Sequence, residues 1–203
     1  MPMLRSAPSR AALLFACLTA AVLAGCAQQT ALLNQPLAWT PTKTLDLGVT
    51  TNSGTPARVR FQTFSDSASD PTLVGENVEQ AAPRQVTTRD PVGPFVTQHL
   101  QALFAQAGYA SGGADADRVI SGQVQKFFVK EHDNYRGNII LVVTVRDRSG
   151  RILWQGTVYG TNSTFGRSYH LDNYQQVLSD ALIDAADNLL KNPALRGALT
   201  LGN

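Results

Sequence analysis

The chain has 203 residues, 43% hydrophobic and 16% charged, with 17 Lys and Arg against 15 Asp and Glu. Arg5 and Arg10 stand in the N-terminal segment; without them, basic and acidic side chains balance, and no positive field is left to draw nucleic acid. The two cysteines, Cys17 and Cys26, both lie near the start, which excludes a disulfide, thiolate catalysis and a cysteine-ligated metal from everything after them.

Residues 1–25 have a cationic start, an apolar run from Ala11 to Ala24 and small residues at its end, the pattern of a secretory signal. That run is well short of the roughly 20 residues that span a bilayer. It closes on Leu23-Ala24-Gly25-Cys26, which resembles the lipobox of bacterial lipoproteins, an aliphatic and two small residues before a cysteine. The resemblance implies cleavage before Cys26 and a covalent diacylglycerol and N-acyl chain on it, with no other cofactor. Each buried CH₂ adds about 0.8 kcal/mol, so several chains would hold the protein on a membrane. Ala27 differs from the aspartate that resembles an inner-membrane retention signal, so the expected location is the outer membrane, facing the periplasm.

Residues 26–43, poor in charge and carrying Pro36 and Pro41, read as a lipidated tether whose Leu32, Leu33, Leu37 and Trp39 would dock on the domain. A single domain then spans 44–203. Alternation predicts strands over 44–49 and 57–64, with a turn at 52–56. Residues 65–89 show no period and read as a long loop; Leu73, Val74, Val78 and Val86 within it are candidate partner contacts. Asp90 and Pro91 open a helix whose apolar residues recur to Ala107. Strands follow over 118–130, with a bulge or two-faced burial near Phe127 and Phe128, and over 138–146, rich in β-branched residues. The turn Asp147-Arg148-Ser149-Gly150 leads into a strand over 152–159. After a Gly- and Ser-rich passage, a helix begins near Asp172, buries a continuous stripe from Tyr174 to Leu190 and stops at Pro193. The order β-β-α-β-β-β-α predicts an α+β two-layer sandwich, a mainly antiparallel sheet with two helices on one face.

The lipobox, the helix ending in Ala107-Gly108-Tyr109, the strand Ile120-Ser121-Gly122-Gln123-Val124, and the hairpin Val143-Thr144-Val145-Arg146-Asp147-Arg148-Ser149-Gly150-Arg151-Ile152-Leu153-Trp154 together resemble YajG-type lipoproteins. They are also similar to auxiliary lipoproteins of ABC-type envelope lipid transport and to peptidoglycan-synthase activator lipoproteins. The fold implied is that of the N-terminal domain of TolB.

No nucleophile elbow, dinucleotide fingerprint or P-loop is present, and His99, His132 and His170 lack ligand spacing. Glu131-His132-Asp133 reads as a charged hairpin bend, and Asp115 and Asp117 as solubilising or capping groups. Arg146, Arg148 and Arg151 gather near one hairpin end, where an acidic partner or phosphate could meet them. The function expected is a non-catalytic interaction or assembly module with an envelope protein partner. The alternative is a carrier of a lipid or other apolar ligand, with Phe127, Phe128 and the 65–89 segment as walls and lid.

Overall fold

The computed structural model describes residues 31–46 and 54–201. The proposed signal, the lipobox with Cys26, and the first two residues of the turn expected at 52–56 lie outside the described residues; its last two, Thr55 and Pro56, form a short strand. The strand expected at 44–49 also lies outside them from Leu47 onward; its first residues, 44–46, take no strand conformation.

Among the described residues there are nine strands and three helices: β1 (Thr55–Pro56), β2 (Val59–Phe61), β3 (Ser65–Asp66), β4 (Leu73–Asn77), β5 (Arg84–Thr87), α1 (Val92–Gln106), β6 (Arg118–Glu131), β7 (Asn134–Asp147), β8 (Ile152–Phe165), α2 (Leu171–Lys191), α3 (Pro193–Ala198) and β9 (Thr200–Leu201). The main sheet runs β5-β4-β6-β7-β8, with β2 and β3 also on β6. It is mostly antiparallel, and α1 and α2 cover one face, giving the expected two-layer α+β sandwich.

The long hairpins set this architecture. In β7 the odd residues Tyr135, Ile139, Leu141, Val143 and Val145 are buried against the helices, and the β-branched run fits a strand paired on both sides. Gly150, with φ of 87°, closes the β7–β8 turn in the left-handed region that favours glycine. The bulge expected near the Phe pair falls between Val124 and Lys126; Phe127 enters the core and Phe128 turns to the other face, half-buried. In α2 the stripe from Tyr174 to Leu190 is buried. Helix and sheet meet closely at Gly160, where a Cβ would stand 2.1 Å from the Ala181 carbonyl oxygen. Trp154 is half-buried and packs against the core.

Several expectations need correction. The strand expected over 57–64 shrinks to β2, flanked by the short β1 and β3, and it pairs with β6 in parallel. The segment 65–89 is not a long loop: it supplies β4, parallel to β6, and β5, antiparallel to β4. Val74 and Val86 are core residues at 4% and 0% exposure, so neither is available to a partner. They looked aperiodic because short strands at a sheet edge give too few residues for an alternation to register. The passage after 159 continues as strand to Phe165, since backbone pairing with β7 overrides its weak propensity. Helix α1 starts at Val92, and Asp90 accepts a hydrogen bond from the Leu37 amide at 2.8 Å instead of capping the helix. Pro193 stops α2 and also opens α3, capped by the Asn192 side chain.

Candidate functional site

Residues 31–46, most of them in the segment read as a tether that docks on the domain, form a strap along it. Leu32 and Gln35 bond the edge of β5, through Thr87 N to Leu32 O at 3.0 Å and Gln35 N to Thr87 O at 2.8 Å. The strap then follows α2. Gln175 donates to Pro36 O at 2.9 Å, Thr40 N donates to Ser179 Oγ at 3.0 Å, and Asp46 N donates to Asp187 at 2.9 Å. At its centre Asp180, 1% exposed, accepts from Thr42 N at 2.8 Å, Thr42 Oγ1 at 2.7 Å and Lys43 N at 3.0 Å. Leu32, Leu37 and Trp39 pack against the core as expected, whereas Leu33 stays 49% exposed. Trp39 stacks on His99 with centroids 4.1 Å apart.

No helix among the described residues lies on the second sheet face. Adjacent positions across β6, β7 and β8 there are Phe128, Asn138 and Thr161, then Lys126, Ile140 and Tyr159, then Gln123, Val142 and Thr157. Tyr159 is 59% exposed, and Phe128, Ile140 and Val142 are half-buried. A groove of about 820 Å³ runs along this part of the sheet, lined among others by Lys126, Phe128, Lys130, Arg136 and Asn138. Asn138 Oδ1 is buried with no hydrogen-bond partner among the described residues. Glu76 offers its carboxylate to Lys130 at 3.8 Å, which leaves Lys126 and Arg136 to set a positive rim.

A cleft of about 390 Å³ opens beneath the β3–β4 connection, with Leu73, Val92, Val124, Phe127 and Phe128 in its walls and Asp66, Asp70 and Lys126 at its polar side. Of the expected contacts, Leu73 therefore lines a cleft and Val78 is half-buried at the end of β4. The arginines do not act together. Arg148 bonds Asp117 and the Ala116 carbonyl, Arg151 bonds Asp147, and Arg146 reaches Gly150 O at 3.1 Å. Asp115 and Asp117 also hold Arg58, so they are structural partners more than solubilising groups.

Sequence reasoning missed Glu131. It is fully buried beside the exposed His132 and Asp133, and receives Tyr174 Oη at 2.6 Å and the Tyr169 amide at 2.8 Å. Tyr169 holds a φ of 47°, uncommon for a non-glycine residue, and its hydroxyl donates to Gln85 O at 2.8 Å. His170 stands at the start of α2 with no side-chain cap. Among the described residues no three His, Cys, Asp or Glu side chains gather in a metal-binding arrangement, and no helix is long and apolar enough to cross a membrane.

The charges give an acid-sensitive domain. The Arg58 guanidinium holds the Asp115 carboxyl below its usual 3.8, the Arg58 amide does the same for Asp117, and the Ser149 hydroxyl for Asp147. Burial holds His99 below its usual 6.5. In each case the unfolded chain binds protons more readily than the native one, so stability falls as pH falls. Urea midpoints should be level between about pH 7 and 9, decline below the usual histidine value of 6.5, and drop more steeply below the usual aspartate value of 3.8. The His99→Gln variant should lose the first decline; a profile unchanged by that substitution would refute the assignment.

No protein-family model matches the sequence, and no characterised protein matches it closely enough to count as a relative. Among solved structures the chain is similar to protein XCC0632 from Xanthomonas campestris, at 12% identity and a TM-score of 0.53 over 81% of this chain and 96% of that one. It is also similar to the PelC dodecamer from Paraburkholderia phytofirmans, at 16% identity and a TM-score of 0.42 over 72% and 90% of the two chains. Lipoprotein GNA1162 from Neisseria meningitidis follows at 13% identity and a TM-score of 0.35 over 56% and 88%. The likeness to XCC0632 shows a shared fold.

Proposed function

We propose that the chain is a bacterial envelope lipoprotein, anchored through Cys26 in the outer membrane and facing the periplasm, that acts without catalysis by docking a partner protein on its bare sheet face. The lipobox-like Leu23-Ala24-Gly25-Cys26 supports the anchor. The observation that carries the docking is the uncovered face itself, where Phe128, Ile140, Val142 and Tyr159 adjoin the unpaired Asn138 acceptor and the Lys126 and Arg136 rim. Apolar centres with polar rims are the anatomy of protein interfaces, and the rim sign calls for an acidic partner.

The test places a photocrosslinking residue at Val142 of the full-length chain in cells, with Gln98 on exposed α1 as control. A discrete adduct is expected from position 142 alone, and it should disappear with Lys126→Glu and Arg136→Glu together. Adducts equal at both positions, or indifferent to the charge reversal, would overturn the assignment. In parallel, Cys26→Ala should leave an uncleaved, unacylated precursor; processing as in the unaltered chain would remove the anchor reading.

The cleft beneath the β3–β4 connection favours a second reading, a carrier of an apolar chain, because its walls include Phe127, Phe128 and Leu73. Native mass spectrometry of the chain purified without detergent should then show a bound lipid that is lost on Val124→Glu.

A further inference from the structure

We infer that one end of the domain, the end bearing Phe165 and the β6–β7 turn, lies against the lipid surface; the inference rests on acylation of Cys26. Strand direction supplies the first support. Asn77 pairs with both Glu131 and Arg84, so β4 and β6 finish, and β5 starts, at the β6–β7 turn. The strap pairs with Thr88 in parallel through Gln35, so it runs away from that turn as it proceeds from Leu32 to Gln35. Read backwards, it heads towards the turn. The Leu32 amide, near the first described residue of the strap, is bonded to the Tyr169 hydroxyl at 3.2 Å.

Length supplies the second. Only residues 27–30 separate Cys26 from Ala31, a reach of at most about 18 Å at roughly 3.3–3.6 Å per residue. A lipid headgroup layer entered by the acyl chains is therefore held close to this end, and the opposite end, with the Asp147–Gly150 turn, points away from it.

The surface itself supplies the third. Phe165, paired with Asn134 at the last position of β8, is 88% exposed, the largest exposure among the described large hydrophobic residues, and Leu33 on the strap is 49% exposed. An aromatic ring placed in water at the end nearest a lipid anchor fits the interfacial layer, where amphipathic and aromatic groups settle. Nearby charge does not oppose it: Arg167 is paired with Glu79 at 2.8 Å and with Asp133 at 3.1 Å. The acyl chains provide the hold, and Phe165 fixes which end faces down.

The mature chain offers no thiol other than Cys26, so a single introduced cysteine can be labelled cleanly. The full-length acylated protein, carrying a nitroxide at Asp133→Cys or at Ser149→Cys, is reconstituted into vesicles of phosphatidylethanolamine and phosphatidylglycerol. The ratio of collisions with oxygen to collisions with a water-soluble nickel complex should be several-fold higher at position 133 than at 149. Adding Phe165→Asp should bring the two ratios together. Equal, water-like ratios in a protein whose mass shows acylated Cys26 would overturn the docking alone. A mass showing free Cys26 would remove the anchor and the docking with it.

Discussion

Replacing Asp180 by alanine is expected to lower the stability of the domain by about 3 kcal/mol, a large share of what a domain of this size holds. The carboxylate is 1% exposed and accepts two backbone amides and the Thr42 hydroxyl from the strap, together with Asn162 Nδ2 at 3.3 Å. Alanine takes the acceptor from all of these donors, and hydrogen bonds to a charged group contribute about 1.5–3 kcal/mol each, part of which water recovers at the exposed Thr42 and Lys43. Asp180→Asn keeps one acceptor and should cost about a third as much. The urea midpoint reads the first effect, and cleavage by trypsin after Lys43, protected while the strap is seated, reads the second. A variant with an unchanged midpoint and a resistant Lys43–Thr44 bond would show that the strap is held elsewhere.

The strap illustrates how far the sequence could be read. The β7–β8 hairpin and α2 were legible because β-branched runs, a type I turn and a long 3.6-residue stripe each repeat enough to rise above chance. The polar face of α2 was legible as polar, but Asp180 and Asp187 gave no sign that their partners lie in a Pro-containing segment far back in the chain. Long-range hydrogen bonding leaves no periodic trace. Strands β4 and β5 escaped for the related reason that their five and four residues draw their order from pairing, β4 on β6 and β5 on β4, not from their own pattern. The bare sheet face was half visible: Ile140 and Val142 alternate with buried neighbours, but the same alternation could not tell a helix-covered face from an open one. Val74 and Val86 were misplaced as contact residues because an apolar residue among polar ones reads alike whether it points into a core or towards a partner.

Glu131→Ala is expected to be the most damaging substitution at the domain end, costing about 3–5 kcal/mol. It strands the Tyr174 hydroxyl and the Tyr169 amide, both buried, and leaves a void where the carboxylate stood. The Tyr169 bond also holds the 166–170 connection, in which Tyr169 takes its positive φ, so its loss frees the support of Leu32 and Gln85 as well. Tyr174→Phe removes one bond and almost no volume, and should cost about 2 kcal/mol because Glu131 Oε2 loses its donor while Oε1 keeps the Tyr169 amide. Alkaline titration distinguishes this account from simple loss of packing. Burial, and then the bond to Glu131, raise the Tyr174 phenol far above its usual 10.0, so the native state keeps a proton that the unfolded chain releases. Stability from this group is complete below that value and is lost as pH rises beyond it. Absorbance at alkaline pH should show Tyr174 ionising only when the domain unfolds, and Tyr174→Phe should abolish that late component. Ionisation of Tyr174 together with an exposed phenol, in a protein still folded by circular dichroism, would contradict the buried pair.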